Sequence, residues 1–199
     1  MPLLWQLTIS PYSEKVRWAL ADKGVAHERR APAPGLHMAV ALWLTGGRTA
    51  TLPVLELDGR AIGDSTAIIG ALEERYPEPA LLPPDPADRA AIRLLCARFD
   101  DLGDPYYDLM YERAADAGQR LEAALVRLDE LLAERPYLSG TEFGLADTAY
   151  LPWVLRAEMR LGVEVRSRPG LAAWLDLLAA RPSVREELDV VARLYPAAA

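Results

Sequence analysis

The sequence predicts a two-part chain: an α/β unit ordered βαβαββα over residues 1–76, a proline-rich linker over 77–86, and an all-α unit over 87–199. Three observations predict it. Short apolar runs bounded by turn residues alternate with helical periods as far as Tyr76. Five prolines then fall within the eleven residues from Tyr76 to Pro86, a density that breaks any regular element. Beyond them the apolar spacing is three and four throughout.

Taken in order, Leu3 to Ile9 reads as a buried strand and residues 11–23 as a helix with Val16, Ala19 and Leu20 on one face, closed by Gly24. Pro11 suits the first helical position, Ser10 falls at the N-cap, and Glu14 lies near the positive helix end. Ser10 has two readings from local sequence alone: a simple cap, or a hydroxyl beside free N–H groups that holds an anion or a thiolate. Val25 to Arg30 is a second strand, Ala31 to Gly35 a loop, and residues 36–45 a second helix ended by Gly46 and Gly47. Thr51 to Leu57, the turn Asp58-Gly59, and Arg60 to Ile62 form a hairpin, with Pro53 at the strand start where no ladder donor is lost. Asp64 or Ser65 then caps a helix running to about Arg75, with Ile68, Ile69 and Leu72 apolar.

In the second half, one long helix from Ala87 to about Ala115 carries Ile92, Leu95, Phe99, Leu102, Tyr106 and Met110, and Pro105 is expected to kink or interrupt it. Residues 118–134 repeat the pattern and are expected to pair with it in antiparallel fashion. Segments 145–161, 170–181 and 183–194 add three more helices, and the alanines at 197–199 read as a frayed tail.

Composition narrows the function classes. At 199 residues, 51% hydrophobic and 26% charged, the chain can bury a core without staples. No apolar run of about 18 residues suggests a membrane span, and no basic segment leads into an apolar one at the N-terminus, so the expectation is a cytoplasmic protein without a membrane partner. A net charge of -7 argues against nucleic acid. The single cysteine, Cys96, and two histidines, His27 and His37, argue against a disulfide framework and a metal site. Lysine occurs only at Lys15 and Lys23, every other basic residue being arginine, a bias that reads as genome composition.

Four motifs in this order resemble the cytosolic glutathione transferase family, in its serine-type, bacterial-like members: Ser10-Pro11-Tyr12-Ser13-x-Lys15-Val16-Arg17; Leu52-Pro53-Val54-Leu55; Asp64-Ser65-Thr66-Ala67-Ile68; and Gly140-x-x-x-Gly144-Leu145-Ala146-Asp147. The match covers nearly the whole chain. It implies a thioredoxin-like first domain with a mixed sheet, a helical second domain, and glutathione as cosubstrate.

Carried over by position, the resemblance makes Ser10 the residue that hydrogen-bonds and activates the glutathione thiol. Ser10 and Ser13 both lack the sulfur of the cysteine-type members, which disfavours thiol-disulfide reduction. Lowering a thiol pKa by about two units needs about 2.7 kcal/mol, and one hydrogen bond to a charged group supplies roughly 1.5–3 kcal/mol. Pro53 resembles the family's cis-proline, which turns the Leu52 backbone toward the cysteinyl part. Asp64 and Ser65 resemble the pair that holds the γ-glutamyl end, and His37 and Arg48 are the candidates for the glycyl carboxylate. Tyr12, Phe99, Tyr106, Tyr107 and Tyr111 are implied to line an electrophile pocket between Ser10 and the first helix of the second domain, while Trp153 and Trp174 read as core. Gly144 departs from the family's Ser or Thr, with Asp147 still expected to cap. The implied function is attack of the glutathione thiolate on a small hydrophobic electrophile (conjugation, isomerisation or dehalogenation) by a homodimeric detoxification enzyme. The alternatives are a non-catalytic binding or regulatory protein of the same fold, and an enzyme that uses another low-molecular-weight thiol.

Overall fold

Four short strands, β1 (Leu3–Trp5), β2 (Glu28–Arg30), β3 (Val54–Leu57) and β4 (Arg60–Gly63), pair in the order β2-β1-β3-β4. The computed structural model describes residues 1–194, so the alanine run at 197–199 lies outside the described residues. β2 runs parallel to β1, whereas β3 is antiparallel to both β1 and β4, which gives the mixed thioredoxin-like sheet. The β3–β4 turn places Asp58 at φ 49° and Gly59 at φ 76°, the two left-handed positions that a tight hairpin turn of this twist requires.

Alternation along the strands decides which helix covers which face. Trp5, Val54 and Ala61 share one side and pack with Ala41 and Leu44 of α2 (His37–Thr45) and with Leu52 and Leu7. The register sends Leu4, Leu55 and Ile62 to the other side. There α3 (Ser65–Arg75) packs against β3 and β4, and α1 (Pro11–Asp22) packs against α3.

Several expectations for this half need correction: β2 is confined to Glu28–Arg30 rather than starting at Val25, and β3 starts at Val54 rather than Thr51. β1 ends at Trp5 rather than Ile9, because the chain leaves the sheet in a turn closed by Ser10 N–H to Leu7 O at 3.0 Å. Arg17 fixes that turn by donating to Gln6 Oε1 and to Thr8 O. Nor is α1 buried on one face only. Ser13 through Leu20 are all buried, including Glu14, Lys15 and Arg17, the last two held by side-chain hydrogen bonds that periodicity does not encode.

The chain divides into two compact units, Met1–Ala80 and Leu81–Ala199, so the division falls inside the proline-bearing stretch. Each side of that stretch is tied to its own unit. Lys23 Nζ donates to Tyr76 O at 2.7 Å and Pro79 O at 2.9 Å, while Leu81 O accepts Leu145 N–H at 2.8 Å and Leu81 and Leu82 are buried.

The second unit contains α4 (Pro86–Ala97), α5 (Asp100–Met110), α6 (Ala117–Leu132), α7 (Leu145–Leu161), a short 3-10 turn (Val165–Ser167), α8 (Pro169–Ala179) and α9 (Pro182–Leu194). The single long helix expected from Ala87 to Ala115 is therefore two helices. The break is at Arg98–Phe99, where N–H groups bond the carbonyls three residues back, and α5 continues through Pro105. Asp100 and Asp101 favour a new helix N-terminus at that point. α6 packs against α5 and α8, and α4 against α7.

α7 is buried from Leu145 through Ala157, and Asp147 organises its start. Its carboxylate accepts N–H groups from Leu138 (2.8 Å), Gly144 (3.0 Å) and Ser139 (3.3 Å), and the Trp174 indole N–H (2.7 Å). Burial pushes this carboxyl above the ordinary value of 3.8, against the pull of those donors. Its role is structural, as the sequence indicates.

Candidate functional site

A cavity of about 520 Å³ in the first unit is lined by Leu7, Tyr12, His37, Met38, Ala50, Thr51, Leu52, Pro53, Asp64 and Ser65. Residues distant in sequence meet here because four segments converge: the β1–α1 turn, the start of α2, the approach to β3, and the β4–α3 junction. The Leu52–Pro53 peptide bond is cis, as the resemblance implies.

Ser10 sits at the N-cap of α1, half-buried, between cavity-lining Leu7 and Tyr12 but not itself part of the lining. Its Oγ accepts Ser13 N–H at 3.4 Å, and its carbonyl accepts Glu14 N–H at 3.0 Å. Ser13 acts differently. It is fully buried, and its Oγ accepts Leu7 N–H at 3.3 Å, which ties the turn to the helix.

At the β4–α3 junction Asp64 adopts φ 71°, a left-handed conformation that costs a residue with a side chain on the order of 1–3 kcal/mol. Its carboxylate Oδ1 accepts Thr66 N–H at 2.9 Å and Ala67 N–H at 3.0 Å. The Asp64 carbonyl accepts Ile68 N–H at 2.9 Å, so the Ser65 N–H is the donor of that first turn which these caps leave over. Asp64 is exposed and Ser65 buried, and together they place a carboxylate, a hydroxyl and a helix N-terminus on one edge of the cavity.

The opposite side rests on a threonine relay. Thr45, at the end of α2, donates its hydroxyl to Ala41 O (2.7 Å) and accepts Thr49 N–H (3.1 Å). Thr49 Oγ1 in turn accepts Thr51 N–H at 3.3 Å. This fixes the segment that brings Ala50 and Thr51 to the cavity. Gly63 lets the relay close, since a Cβ there would lie 2.2 Å from Thr49 Cγ2.

Of the two candidates for the glycyl carboxylate, His37 lines the cavity, while Arg48 is exposed and does not. The expected aromatic wall is also divided. Tyr12 belongs to the cavity of the first unit. In the second unit Tyr106 is 1% exposed and meets Trp153 edge-on at 5.7 Å. Phe99 stacks on the same indole at 5.9 Å, and Tyr107 meets it edge-on at 5.3 Å. Tyr107 then stacks on exposed Tyr111 at 6.1 Å, so an aromatic row runs from core to surface. Sequence reasoning missed Leu7, Met38, Ala50 and Thr51; adjacency to Leu52-Pro53 and to Ser10 was the available signal for Ala50, Thr51 and Leu7.

Among the described residues no group of three or more His, Cys, Asp or Glu side chains gathers as a metal site requires, and no helix is long and apolar enough to cross a membrane.

Comparison with known proteins bears on the whole chain. A family model described as the glutathione S-transferase N-terminal domain matches residues 4–80, and one described as the C-terminal domain matches residues 111–177. A maleylacetoacetate isomerase from Pseudomonas aeruginosa is 31% identical, over 89% of this chain and 91% of its own. A stringent starvation protein A homologue from Pasteurella multocida is 28% identical, over 91% of this chain and 87% of its own. Among solved structures, a glutathione S-transferase from Methylobacterium radiotolerans in complex with glutathione sulfonate superposes with a TM-score of 0.80 at 29% identity, covering 100% of this chain and 96% of that one.

Proposed function

The chain belongs to the glutathione S-transferase family, as an enzyme of glutathione-dependent transfer or isomerisation, and from that premise we propose that it seats glutathione in the 520 Å³ cavity and directs its thiolate at a small hydrophobic electrophile. One observation carries the reading: Tyr12, His37, Leu52, Pro53, Asp64 and Ser65, from four separate segments, line one cavity, and Ser10 lies in sequence between its lining residues Leu7 and Tyr12.

In this reading each group has a chemical role. The Ser10 hydroxyl donates to the thiolate and lowers the thiol pKa, helped by the positive end of α1. The main chain of Leu52 pairs with the cysteinyl residue. Asp64 takes the γ-glutamyl ammonium, and Ser65 takes its carboxylate with hydroxyl and amide. His37 and Thr51 hydrogen-bond the glycyl end. The thiolate then attacks an electrophilic carbon, giving conjugation when a leaving group departs with the electron pair of its bond, and isomerisation when the thiolate adds to a conjugated double bond and, after rotation about it, leaves again as that double bond re-forms. Tyr12 offers an aromatic surface to a flat apolar substrate. A cytoplasmic homodimer with a detoxifying role completes the proposal, and light scattering on the purified protein checks the dimer.

The test pairs glutathione affinity with turnover of a chloronitrobenzene. Ser10→Ala is expected to lower kcat/KM about 10- to 100-fold while glutathione affinity changes little, the equivalent of about 1.5–3 kcal/mol for a hydrogen bond to a charged group. Full activity in Ser10→Ala removes Ser10 from the chemistry. Glutathione binding without turnover of any electrophile moves the protein to the non-catalytic reading, and failure to bind at millimolar concentration moves it to another thiol.

A further inference from the structure

The chain holds 22 basic residues, of which only Lys15 and Lys23 are lysine. Both lie on or at the end of α1, both are buried (3% and 6% exposed), and both reach α3. Lys15 Nζ donates to Thr66 Oγ1 at 2.9 Å, at the N-terminal turn of α3. Lys23 Nζ meets Glu73 Oε2 at 2.6 Å and the carbonyls of Tyr76 and Pro79, at the other end of the same helix. In a sequence that otherwise uses arginine, the two lysines thus stand at the two ends of α3, each offering a compact ammonium on a flexible stem where arginine would offer a planar fork.

The two contacts have different consequences along α3. Thr66 follows Ser65 and shares its turn with Asp64, whose carboxylate accepts the Thr66 amide. Lys15 itself lies five residues after Ser10 on the helix that Ser10 caps. The Lys15–Thr66 bond therefore joins the helix that carries the Ser10 cap to the turn that presents Asp64 and Ser65 to the cavity. It also brings a positive charge to a helix N-terminus that is already suited to an anion. Lys23 fixes the far end of α3, through Glu73 in the last turn and the Tyr76 carbonyl just beyond it.

We propose that Lys15 is a positioning residue for substrate binding: through Thr66 it sets the distance between the Ser10 turn and the Asp64–Ser65 turn, whereas Lys23 serves stability alone. This rests on the reading of the cavity as the glutathione site. Lysine at position 15 is then required by shape as well as charge, and a hydroxyl at position 66 is required to receive it.

The experiment measures glutathione Kd by calorimetry, chloronitrobenzene kinetics and Tm for the full-length wild type, Lys15→Met, Lys15→Arg, Thr66→Ser, Thr66→Val and Lys23→Met. Lys15→Met and Thr66→Val are expected to weaken glutathione binding and raise its KM about five- to tenfold, with kcat at saturation within twofold. Thr66→Ser is expected to retain wild-type affinity, and Lys15→Arg is expected not to. Lys23→Met is expected to lower Tm while leaving Kd within twofold. The proposal is overturned by a folded Lys15→Met protein with wild-type Kd, or by Lys23→Met weakening binding as much as Lys15→Met, which would make both changes a general loosening of α3. A wild-type protein that binds no glutathione overturns it together with the reading beneath it, whereas wild-type binding with an inert Lys15 overturns the positioning role alone.

Discussion

Replacing Gly144 by serine restores the residue type that the family resemblance implies at the N-cap of α7, and a sequence-based design would make this change to gain stability. The structure predicts a loss. Gly144 has φ −163°, extended backbone open to any residue, so conformation is not the obstacle. Space is: a Cβ there would stand 2.5 Å from Leu81 O and 2.9 Å from both Cβ and Oγ of Ser139, well inside the about 3.5 Å of ordinary contact. The cap that serine would supply is already present, because Ser139 Oγ accepts Ala146 N–H at 3.0 Å and Asp147 accepts Gly144 N–H at 3.0 Å. The gain over glycine is therefore a few tenths of a kcal/mol at most. Against it stand about 1–3 kcal/mol for overpacking and about 1 kcal/mol for each of the Leu145 N–H to Leu81 O and Ala146 N–H to Ser139 Oγ bonds that must give way. The net is roughly 2.5–5 kcal/mol, which for a chain of this size lowers Tm by roughly 5–20 °C. Thermal unfolding followed by circular dichroism reads it directly. A Gly144→Ser protein that melts at or above the wild type would refute the reasoning. Ser139→Gly in the same background should recover part of the loss, since it removes both the Cβ and the Oγ that stand 2.9 Å from the new Cβ.

Two further changes test the supports of the fold and the cavity. Asp147→Asn puts an amide NH2 where a carboxylate oxygen now accepts N–H donors and should cost about 2–4 kcal/mol, read as a fall in the urea midpoint with an unchanged m value. Thr45→Val keeps the shape but removes the hydroxyl that joins Ala41 O to Thr49 N–H, so it should cost about 1–2 kcal/mol and weaken glutathione binding severalfold by freeing the segment that carries Ala50 and Thr51. Calorimetric titration with glutathione checks the second part.

Much of the fold was legible because its signals are local. Asp58-Gly59 announces the hairpin by its own conformational preferences, Ser10-Pro11 announces a helix start, and α7 has the bounds 145–161 that its periodicity indicates. The errors arise where a distant partner overrides a local preference. Pro105 removes one helical hydrogen bond, yet α5 runs through it because Leu102 and Tyr106 on either side are buried and tertiary packing holds the turn. The helix breaks instead at Arg98–Phe99, which no breaker residue marks. Arg17 and Lys15 read as the polar face of an amphipathic helix and are buried, because Gln6, Thr8 and Thr66 receive them. In the cavity the same distinction holds. Leu52-Pro53 and Asp64-Ser65 carry recognisable motifs, whereas the Thr45–Thr49–Thr51 relay that supports them has no motif, since its residues matter only once α2 and the approach to β3 have been brought side by side.

Under the proposed function, the cap and the thiolate contact of Ser10 are compatible when its hydroxyl is counted by donor and acceptor. A serine hydroxyl has a single proton to donate and two lone pairs to accept with. Capping uses a lone pair: Ser13 N–H points at Ser10 Oγ across 3.4 Å, near the outer limit for such a bond. The proton is not needed by the cap, and the bond that holds the oxygen from behind favours a rotamer in which the proton points away from the helix. A thiolate in front of that oxygen would accept the proton and gain from the positive end of α1. Donating the proton in turn makes the oxygen a better acceptor for Ser13 N–H, so cap and site strengthen one another. Ser13 gives the same count, its oxygen accepting Leu7 N–H inside the turn, and it is full burial that sets it apart from half-buried Ser10. Ser10→Thr should therefore keep both functions if its added methyl finds room, and Ser10→Ala should lose both at once, with about 1 kcal/mol of helix stability accompanying the loss of rate. A Ser10→Ala protein that loses the rate but none of the stability would separate the cap from the site.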